Sequence, residues 1–417
     1  MTQLVTGAGA VASVGEGVDE VFRALCAGTS GRGELRGFDR DRYRARHAYE
    51  IDDRPAEGGD IPGRATAWLL RAVAEAAAQA GLGDDLSGVP VLVGTGLREL
   101  RSAELAWCEG TPLDPDRLHF GPALRERFGA ERSYTFSGAC SASLYALALA
   151  ADLLATGAED TVVVAGVDTL TESMFGLLDR VHAEPPERVQ PFDRARRGVL
   201  MGDGAAAVVL RREEPQRGEP QRGEPQREGV PRGEPPRAGA AGAPLGLLRA
   251  VSMNCDARHV TAPDPKGIAE AVTEAQWRAG VKPGEIDLVL LHGTGTLLND
   301  EAEATAIAEV FGHDVGVPLM TAIKSMTGHT SGSSGLLSLI VALKSLSTGQ
   351  VPPTLGLTEP VAEAAGFRFV RERVEGAELN VAQIDAFGFG GVNAVAIVER
   401  AEPSPGSPAG AGGRTGR

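Results

Sequence analysis

ERSYTFSGACSASLYALALAADLLATG, residues 131–157, passes from a short β-forming stretch through a glycine-bearing turn into a long run of small and apolar residues. The reading is strand, sharp turn, helix, with the helix expected over 140–156 and Cys140 at its start. A buried cysteine can be simple core filling. At the point where a strand gives way to a helix, however, unpaired backbone N–H groups and the positive end of the helix dipole surround the sulfur. Such a position is expected to lower the thiol pKa and favour the nucleophilic thiolate. The same order of strand, turn and small-residue helix recurs at 319–347, so two similar halves are expected despite slight sequence identity between them.

Outward from this stretch, short β-rich runs alternate with longer helical ones, the pattern of an α/β protein. Strands are expected at QLVTGAG (3–9), VPVLVGTG (89–96), DTVVVAGV (160–167), GAAAVVL (204–210), LGLLRAVSMN (245–254), EIDLVLLHG (285–293), LMTAIKS (319–325) and VNAVAIVE (392–399). Helices are expected over 18–27, 64–80, 267–279, 301–311 and 335–347. Between 211 and 243 lies a Pro, Gly, Arg and Glu repeat with almost nothing able to pack. The expected organisation is therefore a nucleophile-bearing half over 1–210, a disordered insertion over 211–243, a second half over 244–400, and a disordered tail over 401–417.

Composition narrows the function. The 417 residues can bury a large core, and the 55 glycines point to close backbone packing. With 56 acidic against 41 basic residues and a net charge of -15, general nucleic-acid binding is disfavoured, and an acidic partner needs a local basic patch. Cys26, Cys108, Cys140 and Cys255 are scattered without CxxC spacing, so neither a zinc site nor a disulfide framework is indicated and a reducing cytoplasm fits. The start carries no basic n-region, and no apolar run is long enough to span a membrane.

GAGAVA (7–12) has the glycine spacing of a dinucleotide fingerprint after a strand. The ribose-binding acid should follow about 20 residues on at a strand end, yet FRALCAGTSG (22–31) reads as helix. A structural turn is the expected reading. Better partners for Cys140 lie in the second half: His292 in LHGTGTLLNDEAE, and Lys324 and His329 in IKSMTGHTSGSSG. Each histidine adjoins a glycine-rich turn at a strand end, where backbone and side chain can approach a substrate closely.

Taken together, SGACSAS (137–143), HGTGT (292–296), KSMTGH (324–329) and FGFGGVNA (387–394) resemble the β-ketoacyl synthases, or ketosynthases, of the thiolase superfamily. Further matching stretches are VTGAGAVASVG from Val5, QPFDRARRGVLMGDGAAAVVL from Gln190, TAPDP from Thr261 and VPPTLGL from Val351, so the resemblance spans about residues 1–400 apart from the insertion. It implies a thiolase fold, a five-layered α-β-α-β-α sandwich built from two similar halves and usually dimeric. It implies decarboxylative condensation of an acyl group with a malonyl-type extender on acyl carrier protein, in polyketide or specialised fatty acyl assembly.

Carried over by motif, Cys140 would take the acyl chain. The backbone N–H groups of Cys140 and Phe389 would form the oxyanion hole, worth about 3 to 4 kcal/mol per donor. His292 and His329 would donate from neutral imidazoles to the enolate oxygen. Lys324 would be held by Glu303, Asp300 would order the loop that carries Thr294 and Thr296, and Phe389 would gate acyl entry between Gly388, Gly390 and Gly391. Arg194, Arg196, Arg197 and Arg64, with segment 32–47, are candidates for carrier-protein docking. The resemblance implies no metal or nicotinamide, only phosphopantetheine-carried substrates.

The chain departs from the family pattern at Ser137-Gly138 before Ala139, at Val392 after GFGG, at Ser333-Ser334 and at Arg197, and the 96–136 stretch is short. These changes remove no catalytic group, but they leave acyl specificity open. Two alternatives remain: an acyltransferase passing the Cys140 acyl group to an alcohol or amine, and membership of a ketosynthase/chain-length-factor heterodimer. A chain-length factor itself lacks the cysteine, and a thiolase would need a second cysteine beyond Cys255, where there is none.

Overall fold

The computed structural model describes residues 2–55, 59–213 and 243–401. The expected tail beyond Ala401 and most of the expected insertion lie outside the described residues. The insertion's first two residues, Arg211 and Arg212, instead complete a strand.

Ten strands carry the architecture: β1 (Gln3–Ala12), β2 (Val91–Thr95), β3 (Ser133–Ser137), β4 (Thr161–Asp168), β5 (Gly204–Arg212), β6 (Gly246–Cys255), β7 (Leu288–Leu290), β8 (Leu319–Thr321), β9 (Val381–Gly388) and β10 (Val392–Glu399). The first five stand in the order β3-β2-β4-β5-β1, and the second five in the order β8-β7-β9-β10-β6, with the short strand Arg368–Phe369 outside β8. Each set thus has the same spatial order. Each also has the same directions: β2 is parallel to β3 and β4 while β5 is antiparallel to β4 and β1, and β7 is parallel to β8 and β9 while β10 is antiparallel to β9 and β6. The sets join edge to edge through β1 and β6, where Gln3 faces Leu248 and Val5 faces Gly246.

Strand residues alternate between two cores, because successive side chains leave opposite faces of a sheet. In β5, Ala206, Val208 and Leu210 enter a central core, while Ala205, Ala207 and Val209 enter an outer one. The outer core is closed by helix α1 (Arg64–Gln79) through Trp68, Leu69, Ala72 and Val73. Helices α2 (Ala142–Ala155) and α5 (Ser334–Thr348) supply the central core, with Leu144 and Leu147 from one and Leu336, Leu339 and Ile340 from the other. Helices α3 (Pro265–Ala279) and α4 (Leu297–Phe311) cover the far face with Ile268, Val272 and Ile307. The layers therefore run α1, first sheet set, α2 with α5, second sheet set, α3 with α4, the five-layered sandwich that the motifs implied. Among the described residues, no helix is long and apolar enough to cross a membrane.

The GAGAVA stretch is a correction to the expected turn, since β1 continues through it to Ala12. A Cβ on Gly7 would lie 2.1 Å from the Ala76 carbonyl oxygen, and one on Gly9 would lie 2.0 Å from that of Ala72. These glycines let α1 lie directly on the strand.

Candidate active site

The chain enters the site through two matching turns. After β3, Ala139 has a φ of 48° and opens a single 3-10 turn, Ala139–Ser141, before α2 begins at Ala142. In the second half, Ser331 also has a φ of 48° and opens the turn Ser331–Ser333 before α5. A left-handed backbone at a non-glycine residue costs free energy and must be held by its surroundings. The helix expected to start at Cys140 thus starts two residues later.

Packing of the two halves brings the distant motifs together. The Nε2 of His329 lies 2.9 Å from the Cys140 sulfur. The ring of His292 stands edge-on to that of His329, with centroids 5.4 Å apart, and Phe387 also packs against it at 5.8 Å. Cys140, His292, His329, Thr294, Thr296 and Phe389 all line one cavity of ≈ 120 Å³. Its remaining wall includes the apolar side chains Leu97, Met174, Leu178, Val199 and Met201.

Lys324 sets the proton arrangement. Its ammonium donates to the His292 carbonyl oxygen at 2.5 Å and lies 3.3 Å from His292 Nδ1. An ammonium only donates, so Nδ1 is an acceptor and the neutral ring carries its proton on Nε2. Burial, then the Lys324 charge, hold both histidines well below the ordinary value of 6.5, so both imidazoles are neutral. Among the described residues, the Nδ1 of His329 has no hydrogen-bond partner, and nothing on that side pins its tautomer. The sulfur and the two imidazoles offer donor atoms within 4.8 Å of one another, a spacing that could also hold a metal ion. The proton that Lys324 places on His292 Nε2 works against coordination by that nitrogen.

Two expectations about charge need correction. Burial pushes the Cys140 thiol up to about 11, outweighing the lowering by Lys324 and by backbone N–H groups. Desolvation of the sulfur outweighs the helix start and its N–H groups. Glu303 does not grip Lys324 directly: its carboxylate accepts from the backbone N–H groups of His292 at 2.6 Å and Gly293 at 2.8 Å. It therefore fixes the histidine loop and acts on Lys324 only as a nearby charge. Asp300 accepts from Gly295 N at 3.2 Å and from Phe192 N at 2.7 Å. Thr294 and Thr296 join through their hydroxyls at 3.0 Å, and Thr296 caps α4.

The backbone N–H groups of Phe389 and Cys140 both face the sulfur. A Cβ on Gly388 would come within 3.2 Å of the Cys140 nitrogen, so glycine keeps this pair of donors open. Phe389 itself is 43% exposed at the cavity.

Of the four docking candidates, two are corrected. Arg64 is buried among Asp53, Asp60 and Asp203, and Arg196 is buried against Glu301 and the carbonyls of Thr296 and Leu297. Both guanidiniums hold the fold together and cannot meet a partner. Arg194 and Arg197 remain exposed, paired with Glu359 at 2.5 Å and Glu184 at 3.3 Å. Segment 32–47 is a surface lattice of pairs such as Arg36 with Asp52 and Arg42 with Glu172. Sequence reasoning missed Asp168, a buried carboxylate that ends β4 and binds the cavity wall. Its signal was the acidic residue closing the apolar run VVVAGVD.

The family model for the N-terminal domain of β-ketoacyl synthases matches residues 127–216, and that for the C-terminal domain matches residues 245–358. The chain is 28% identical to 3-oxoacyl-[acyl-carrier-protein] synthase I, chloroplastic, of Arabidopsis thaliana, over 96% of this chain and 87% of that one. It is 26% identical to 3-oxoacyl-[acyl-carrier-protein] synthase 2 of Coxiella burnetii, over 95% and 98%. The solved ishigamide ketosynthase/chain length factor superimposes with a TM-score of 0.80 at 28% identity, over 96% of this chain and 99% of that one. Motifs, fold and these similarities converge: the chain has the thiolase fold and belongs to the β-ketoacyl synthase family.

Proposed function

We propose that the protein transfers an acyl group from a carrier thioester to Cys140 and condenses it with a malonyl-type extender on acyl carrier protein. The observation that carries this reading is the meeting of the Cys140 sulfur, two neutral imidazoles and two backbone N–H donors in one cavity. In the first half-reaction the sulfur attacks the thioester carbonyl, and His329 Nε2, at 2.9 Å, takes the thiol proton and returns it to the departing carrier thiolate. The N–H groups of Cys140 and Phe389 stabilise the tetrahedral oxyanion. Concerted removal of the proton suits a thiol that burial keeps protonated.

In the second half-reaction the extender's carboxylate leaves as carbon dioxide, and the C–C bonding pair becomes an enolate. His292 Nε2–H, oriented by Lys324, donates to the enolate oxygen; once Cys140 is acylated and offers no proton, His329 takes its Nε2–H tautomer and is the second donor. The enolate carbon attacks the acyl-enzyme carbonyl, the oxyanion refills the same hole, and its collapse expels Cys140 as thiolate, which takes from solvent the one proton that the decarboxylative condensation consumes. The product is a β-ketoacyl thioester on the carrier. Retention of both histidines favours condensation over acyl transfer to an alcohol or amine.

The carrier is proposed to dock at Arg194 and Arg197, and the division of the chain into halves at 1–210 and 244–400 is proposed to divide labour between nucleophile and histidines. Strand β3 ends the sheet on the nucleophile side, with Tyr134 52% exposed. This open edge is the proposed seam for a second copy or for a related subunit, since the ishigamide relative is a ketosynthase/chain length factor. Incubation with acyl and malonyl carrier proteins tests the reaction. The malonyl carrier should gain the acyl mass and lose that of carbon dioxide, whereas release of carbon dioxide without chain extension would refute condensation.

A further inference from the structure

Asp168 is 1% exposed and has no arginine or lysine partner within ion-pair reach among the described residues. Its four bonds are all accepted. Oδ1 takes the Thr95 hydroxyl at 2.8 Å and the Leu97 N–H at 2.7 Å, while Oδ2 takes the Gly96 N–H at 2.7 Å and the Gly332 N–H at 2.6 Å. A carboxylate has about four acceptor sites, so this one is saturated. The partners come from different halves: Thr95 to Leu97 follow β2, and Gly332 lies in the turn that starts at the strained Ser331.

Glycine makes the approach possible on both sides. A Cβ on Gly332 would lie 2.8 Å from Asp168 Oδ2 and 2.7 Å from the Thr95 Cα, and one on Gly96 would lie 2.7 Å from Ser331 Oγ. Gly96, Leu97 and Ser331 line the cavity beside Cys140, and Gly332 stands three residues after His329. We propose that Asp168 is a positioning residue for acyl transfer: it clamps the Gly96–Leu97 wall of one half to the Ser331–Ser333 turn of the other, and so holds His329 against Cys140. This rests on the reading of Cys140 as the acyl carrier.

Asparagine cannot replace it. Whichever way the amide is placed, its NH2 faces at least one backbone N–H that can only donate, Leu97 N on one side or Gly96 N and Gly332 N on the other. The substitution also removes a negative charge. The charged or titratable groups that face Cys140 are Lys324, His292, His329 and Asp168, and Asp168 opposes formation of the thiolate.

The test compares full-length wild type, Asp168→Asn and Thr95→Val, by intact mass, for acylation of Cys140 by carrier thioester and for its alkylation by iodoacetamide at pH 8. Asp168→Asn is expected to lower the acylation rate on the order of 10- to 100-fold with little change in KM, as misplacement of reacting groups does. Alkylation of the same sulfur should become faster. Thr95→Val, which removes one of the four bonds and keeps the charge, should lower acylation more mildly and leave alkylation near wild type; it decides the matter if Asp168→Asn does not fold. Wild-type acylation in either variant, or alkylation and acylation falling together in Asp168→Asn, would overturn the clamp. A wild type alkylated at Cys140 but never acylated would instead remove the functional reading, and the positioning role with it.

Discussion

His329 Nε2 stands 2.9 Å from the Cys140 sulfur across 189 positions of sequence, while His292 lines the same cavity, edge-on to His329 and bonded to Lys324 rather than to the sulfur. The two histidines are thus not equivalent. His329→Ala should slow both Cys140 acylation and malonyl decarboxylation, whereas His292→Ala should slow decarboxylation on the order of 100-fold and leave acylation nearly intact. Single-turnover measurement of each half-reaction checks this; equal losses in both steps for both variants would contradict the division.

The pH dependence follows from the same contacts. Both imidazoles titrate well below 6.5, so the acid limb of condensation should lie below that value. Lys324 is pulled down to about 8, chiefly by burial. Above that pH it loses its proton, His292 Nδ1 loses a charged donor, and the rate should fall. Measured on pre-acylated enzyme, where thiol ionisation plays no part, wild type should show an alkaline limb near pH 8 that Lys324→Met lacks. Persistence of the limb in that variant would assign it to another group.

Phe389 is expected to act as a gate because it is 43% exposed, lines the cavity and is flanked by Gly390 and Gly391, whose φ values of 87° and 77° lie where glycine moves freely. Phe389→Ala should alter acylation rates unequally across acyl chain lengths. A uniform profile matching wild type would reduce the ring to packing.

Docking at Arg194 and Arg197 predicts a substrate split. Reversing both charges to glutamate should raise KM for carrier-bound thioester about tenfold while small thioester analogues react as before, since complementary charge governs encounter rather than chemistry. Equal effects on both substrates would move the dock elsewhere.

Much of the site was legible because its chemistry sits on short glycine-punctuated motifs: Cys140, His292, Lys324 and His329 each mark a turn at a strand end, and tertiary packing had only to bring the turns together. Less legible was which way a charge faces. Arg64 and Arg196 read as surface basic residues, yet each is buried in a cage of acceptors that comes from distant segments. Gly7 and Gly9 read as a turn because glycine spacing does not reveal a helix pressed on a strand. The thiol of Cys140 read as acidic because the helix start is visible in sequence and desolvation is not.

The most direct measurement is intact-mass analysis of the protein mixed with acyl carrier thioesters, then with malonyl carrier. The account predicts one acyl adduct, mapped to Cys140 and absent in Cys140→Ala, that malonyl carrier discharges with release of carbon dioxide. An adduct on another residue, or one discharged only by an alcohol or amine, would contradict it.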